Sequence, residues 1–131
     1  MASSLLMLAA LFSLCGDGPR QTCVVDGDTF WLHGEKIRIA DINAPETHGA
    51  GCPEEARRGE AARLRLQRLL NAGPFALATG ARARDRYGRS LRVVLRDGQS
   101  LGAQLVREGL AEPWRGSRGD WCAAPPAPRE R

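Results

Sequence analysis

Residues 24–39, Val24-Val25-Asp26-Gly27-Asp28-Thr29-Phe30-Trp31-Leu32-His33-Gly34-Glu35-Lys36-Ile37-Arg38-Ile39, decide how the chain folds. Three β-rich runs are separated by the turn signals Asp26-Gly27-Asp28 and His33-Gly34-Glu35, a spacing that predicts strands joined by tight hairpins. In the third run Ile37 and Ile39 share one face, so the alternation predicts that Arg38 points away from the core. Asn43-Ala44-Pro45 then ends the strand, because proline removes a ladder donor and restricts the residue before it.

Working outward, Pro53 to about Asn71 has helical periodicity, with proline near the first turn and Asn71-Ala72-Gly73 as the stop. Ala62, Leu66, Leu69 and Leu70 form one apolar stripe, and Arg57, Arg58, Arg65 and Arg68 fall off it as a solvated face. Phe75 to Ala83 and Ser90 to Arg96 read as two more strands, joined by Arg84-Asp85-Arg86-Tyr87-Gly88-Arg89. Asp97-Gly98 turns the chain into a helix over Leu101 to Glu108, with Ser100 as N-cap and Gly109 as stop. Five strands and two helices in this order predict a small α+β barrel. The Gly-, Pro- and Arg-rich chain after Trp114 predicts a loosely held tail over 116–131, pinned by Cys122.

At 131 residues the chain has room for one domain, and 43% hydrophobic with 26% charged residues excludes a disordered or membrane-bundle composition. Lys and Arg outnumber Asp and Glu by 19 to 15, a charge of +4 that favours polyanionic partners. Every cation but Lys36 is arginine, the side chain that grips phosphate through a planar fork. Leu5 to Leu14 is uncharged and shorter than the roughly 20 residues of a membrane span. It fits the core of a leader over residues 1–20, although no Lys or Arg precedes it, and a leader implies a secreted or periplasmic protein. Cys15, Cys23, Cys52 and Cys122 lack the spacing of zinc ligands and in an exported chain would oxidise in one of three pairings. Leader removal would take Cys15 and leave three.

Chemistry concentrates in Asp26 to Thr29 and Asp41 to Thr47. Strands that bring Asp26, Asp28, Asp41 and Glu46 together create repulsion that a hard cation relieves, and oxygen donors of this kind suit calcium or magnesium. Arg38 and Arg89 flank the acidic segment, where guanidinium groups would stabilise the charge that develops as a phosphodiester is hydrolysed. Glu46 is the carboxylate available to orient or deprotonate water. Taken singly, each of these residues is more often a turn former or a surface ion-pair partner than a functional group.

Four segments together are recognisable: Val25-Asp26-Gly27-Asp28-Thr29, Ile37-Arg38-Ile39 leading to Asn43-Ala44-Pro45-Glu46-Thr47, Asp85-Arg86-Tyr87-Gly88-Arg89, and Leu105-Val106-Arg107-Glu108-Gly109-Leu110-Ala111. Residues 21–115, the expected domain, resemble the staphylococcal nuclease family. The resemblance implies a five-stranded OB-fold β-barrel carrying two to three helices, and a calcium-dependent phosphodiesterase that cuts DNA and RNA to 3′-phosphate products; a monomer without a membrane span is expected. It implies Arg38, Glu46 and Arg89 as catalytic residues, and Asp28, Asn43 and the Ala44 backbone carbonyl as calcium ligands with Asp26 beside them. Arg86 and Tyr87 match substrate-binding positions. Asn43 stands where the best-known members have a second aspartate; its oxygen can ligate calcium but brings no charge, which lowers the expected affinity. A barrel that has lost activity and only binds nucleic acid or protein is the alternative that Asn43 favours, and retention of Arg38, Glu46 and Arg89 opposes it.

Overall fold

The computed structural model describes residues 6–123. The first hairpin joins β3 (Cys23–Asp26) to β4 (Thr29–Leu32), and the second joins β4 to β5 (Glu35–Ile39). His33 and Gly34 both take positive φ, as a two-residue turn between right-twisted strands requires. Between β3 and β4 the register shifts by a bulge, leaving Gly27 and Asp28 as the turn. Gly27 has a packing reason: a Cβ there would lie 2.6 Å from the Ala62 Cβ and 3.0 Å from that of Ala44.

Helix α1 (Pro53–Asn71) follows β6 (Ile42–Asn43), and its N-cap is Cys52, whose sulfur accepts from the Glu55 N–H. The predicted stripe Ala62, Leu66, Leu69 and Leu70 is buried along it. Next come β7 (Phe75–Ala78), β8 (Ser90–Arg96), β9 (Gln99–Ser100), α2 (Leu101–Arg107) and β10 (Glu112–Pro113). Strand β7 is shorter than the expected Phe75 to Ala83. Beyond Ala78 the chain emerges into solvent, and only Arg84 regains a bridge, to Ser90. Helix α2 ends one residue early, with Glu108 as its cap.

The five expected strands are all present in an α+β fold of the expected OB type. β8 pairs antiparallel with β7 and parallel with β5. The pairing runs β7-β8-β5-β4-β3 and is extended at its ends by β1 (Met7–Leu8) on β7 and β2 (Ser13–Leu14) on β3. The path is open, not a closed ring, and β6 with β10 forms a separate pair.

Of the stretch expected as a leader, Met7–Leu8 and Ser13–Leu14 pair with the sheet and Phe12 packs on α1, while 16–20 are exposed; residues 1–5 fall outside the described residues. Phe12 is 1% exposed, edge-on to Phe30 with centroids 5.7 Å apart and 6.0 Å from Phe75. Its N–H donates to Asn71 Oδ1 at 2.7 Å, and its carbonyl accepts from Gln67 and Asn71 at 3.0 Å each. Disulfides link Cys15 with Cys23 and Cys52 with Cys122, one of the three pairings left open by the sequence. No helix among the described residues is long and apolar enough to cross a membrane.

Candidate active site

Asp28 sits in the β3–β4 turn, where its carboxylate accepts from the Thr29 hydroxyl at 3.0 Å and the Ala44 N–H at 2.8 Å. The Arg38 guanidinium lies 3.4 Å from the same carboxylate. Strand alternation pointed Arg38 away from the core, and it lines the cleft, yet it is only 7% exposed. Carbonyls account for the difference: its Nη1 donates to those of Ile39 and Ile42, the latter at 2.9 Å, and Trp114 covers it with the ring centroid 5.5 Å away. Burial lowers the Arg38 pKa; Asp28 and Glu46 oppose that shift, while Arg89 and Arg118 add to it. Those four side chains are therefore close enough to act on Arg38 electrostatically.

Glu46 follows Pro45 in the loop before α1 and is fixed through its backbone. Its N–H donates to Glu55 Oε2 at 3.0 Å, while Thr47 donates to Asp26 Oδ1 through N–H at 3.1 Å and hydroxyl at 2.6 Å. Asp26, expected beside the metal, thus ties down the loop that carries Glu46. From the other side α1 presses on the same loop at Gly59, where a Cβ would overlap the Glu46 carbonyl and lie 3.0 Å from that of Pro45. The Glu46 side chain is 19% exposed and pairs with Arg118. Burial and the Asp26 and Asp28 carboxylates raise its pKa, and Arg118 works against them.

Arg89 is held within its own loop. Asp85 accepts from the Tyr87 and Arg89 N–H groups at 2.9 Å each and from Arg89 Nε at 2.6 Å. Burial opposes the effect, yet these donors hold the Asp85 pKa below its ordinary value. Tyr87 is exposed, with the Arg86 guanidinium 5.1 Å and that of Arg89 5.7 Å from its ring centroid. A cleft of about 1130 Å3 runs past Arg38, Arg86, Tyr87, Arg89, Trp114 and Arg118.

Asn43 is buried, and its Nδ2 donates to Glu112 Oε1 at 3.1 Å while its Oδ1 has no hydrogen-bond partner. Asp41, which the sequence could have brought inward, instead accepts from the Ser100 hydroxyl at 2.6 Å beside the start of α2. Among the described residues no group of three His, Cys, Asp or Glu side chains is arranged to hold a metal.

Sequence reasoning placed Asp28, Arg38, Glu46 and Arg89 in one constellation, and the fold brings them together, with Arg86 and Tyr87 on the cleft. It missed Arg118, Glu55, Glu112 and Gly59. The tail after Trp114, expected to be loosely held and pinned by Cys122, crosses the site as far as Cys122, where the disulfide to Cys52 holds it; residues 124–131 of that tail lie outside the described residues. Cys122 was the one available signal for this course.

Residues 36–120 match the family model described as staphylococcal nuclease homologue. That span takes in Arg38, Asn43, Glu46, Arg89 and Arg118 and leaves Asp26 and Asp28 outside it. The chain is 30% identical over 120 residues to an uncharacterized endonuclease of Haemophilus influenzae, covering 85% of this chain and 62% of that protein. It is 38% identical over 93 residues to endonuclease YncB of Bacillus subtilis, covering 66% of this chain and 43% of the relative. The succinoglycan biosynthesis protein ExoI of Rhizobium meliloti is 32% identical over 95 residues, 70% of this chain and 49% of that one. This chain thus spans between about two fifths and three fifths of the length of these relatives. With a family match across most of its length and with Arg38 and the Asp85 to Arg89 segment lining one cleft, the chain belongs to the staphylococcal nuclease family.

Proposed function

We propose that the protein is a nuclease that hydrolyses phosphodiester bonds in DNA and RNA, with the calcium dependence and 3′-phosphate products that its family resemblance implies. One observation carries this reading: a half-buried carboxylate, Glu46, pairs with Arg118 and acts electrostatically on Arg38, and both arginines line an open cleft together with Arg89. A binding surface needs the cations but has no chemical use for a carboxylate of raised pKa beside a phosphate. A general base does, because proton transfer is most effective when its pKa approaches the working pH.

In this reading Glu46 holds the attacking water and accepts its proton. Arg38, preset by Asp28 and two carbonyls, and Arg89, preset by Asp85, meet the phosphoryl oxygens as negative charge grows on them. Neither has to reorganise at the moment of reaction, which is where preset donors gain their effect. The donor set for calcium fits in kind: the Asp28 carboxylate, the unpartnered Asn43 Oδ1 and the Ala44 carbonyl are hard oxygens that would hold it. When bound, calcium would supply positive charge to the phosphate. The two disulfides support an oxidising location, extracellular or periplasmic.

Glu46→Gln keeps the shape of the side chain and removes the base. Cleavage of single-stranded DNA in calcium should fall about 10²- to 10⁴-fold, and a rate within threefold of wild type would remove Glu46 from this role. The pairing of Glu46 with Arg118 favours a second reading, a barrel that binds without cutting. Wild-type protein that retains the oligonucleotide intact in both calcium and chelator would establish it.

A further inference from the structure

The segment after β10 carries a third guanidinium to the site. From Trp114, over Arg38, the chain passes Gly116 at positive φ and reaches Arg118 on Glu46. Gly119 then packs directly on the Glu112 carboxylate, where any Cβ would overlap it. The Trp121 ring lies 5.8 Å from the Arg58 guanidinium, and Cys122 closes the strap onto Cys52. Cys52 caps α1 through Glu55, and Glu55 holds the Glu46 N–H, so the disulfide that fixes the strap and the acid that fixes Glu46 share one corner.

Arg38, Arg89 and Arg118 of the cleft are not equivalent. Arg38 is committed to Asp28 and two carbonyls, and Arg89 to Asp85. Among the described residues Arg118 has one ion-pair partner, Glu46, and its side chain is 62% exposed. A half-exposed ion pair of this kind is weak, and an arriving phosphate offers the same guanidinium a bidentate, doubly hydrogen-bonded alternative. We propose that Arg118 is a substrate-binding residue, delivered by the disulfide-held strap, that rests on Glu46 in the free protein and moves to a nucleic-acid phosphate flanking the scissile one. The exchange fills the outer end of the cleft with positive charge and releases Glu46 to the attacking water. This inference rests on the nuclease reading for that last consequence, and on the geometry alone for the phosphate contact.

Equilibrium binding of a fluorescent ten-nucleotide single strand in chelator, where cleavage is not required, tests it. Arg118→Gln should weaken binding about tenfold at low salt and flatten the slope of log K against log salt by about 0.7, the value for one phosphate contact on a single strand. Arg118→Lys should restore the slope, which a merely structural residue would not do. The Cys52→Ser/Cys122→Ser double variant, with Arg118 intact but untethered, should show the same loss as Arg118→Gln. An affinity within twofold of wild type and an unchanged slope in Arg118→Gln would overturn the proposal, as would failure of the wild type to bind the strand. Wild-type protein that binds with the predicted Arg118 dependence yet never cuts would overturn the nuclease reading and leave the phosphate contact standing.

Discussion

The two terminal segments are each fastened by a disulfide, and they do opposite things. The N-terminal one, joined by Cys15–Cys23 over a separation of 8 residues, sinks Phe12 into the core and adds strands to both ends of the sheet. The C-terminal one, joined by Cys52–Cys122 over a separation of 70, lies on the surface and reaches across the cleft. Apolar burial holds the first in place with or without its crosslink. The second has two cation–π contacts, one exposed ion pair and a glycine seat, so its position depends on the crosslink. One segment supports stability and the other supports occupancy of the site, a division that predicts separable failures.

The largest effect is expected at Phe12. Truncating a fully buried phenylalanine costs about 3–5 kcal/mol through lost transfer energy and the cavity left behind. In protein that retains residues 6–20, Phe12→Ala should lower stability to urea by that amount. A cost under about 1 kcal/mol would place the segment outside the cooperative fold.

The disulfides come next. In the chain-entropy account, closing loops of these lengths restricts the unfolded chain by about 2.5 and about 4.4 kcal/mol respectively. Cys15→Ser/Cys23→Ser should approach its figure, because Cys23 is buried in β3 and the native segment stays docked. Cys52→Ser/Cys122→Ser should fall well short of its own, to about 1 kcal/mol or less. A freed strap regains in the native state much of the entropy that the unfolded chain regains, a compensation that the loop formula omits. Paired urea titrations of the two double variants measure the order directly, and the reverse ranking would mean that the strap is packed as firmly as the N-terminus.

How much of this the sequence could disclose follows the same line. The hairpins were legible because His33-Gly34 and the stretch around Gly27 are local backbone signals, and α1 because its stripe repeats with the helical period. Asp28, Arg38, Glu46 and Arg89 were legible through motifs. The burial of Arg38 was not, since strand alternation assigns a face but cannot foresee that Trp114, far along the chain, will cover it. Phe12 was hidden by an apolar run that reads equally as a leader core, and Arg118 by a tail whose composition signals looseness. In both segments the decisive fact is a long-range contact that leaves no periodic trace. Gly59 was hidden differently. A glycine inside a helix reads locally as a weakness, and its purpose appears only when the Glu46 loop is seen pressed against it.

Gly59 gives a small change in stability and the sharpest separation of roles. Overpacking by one methyl costs about 1–3 kcal/mol, while replacing glycine with alanine inside a helix returns about 1 kcal/mol, so Gly59→Ala should lose about 0–2 kcal/mol. The added Cβ overlaps the Glu46 carbonyl, not either terminal segment, so the loop carrying Glu46 must move away from α1. Misplacing a reacting group by about 1 Å can cost about 10²-fold in rate. Gly59→Ala should therefore cut DNA at least tenfold more slowly while binding the ten-nucleotide strand as wild type does, the inverse of the strap variant, which should lose binding. Equal losses of binding in both variants would show that the strap acts through the position of Glu46, and the division between holding the substrate and reacting with it would collapse into one loop.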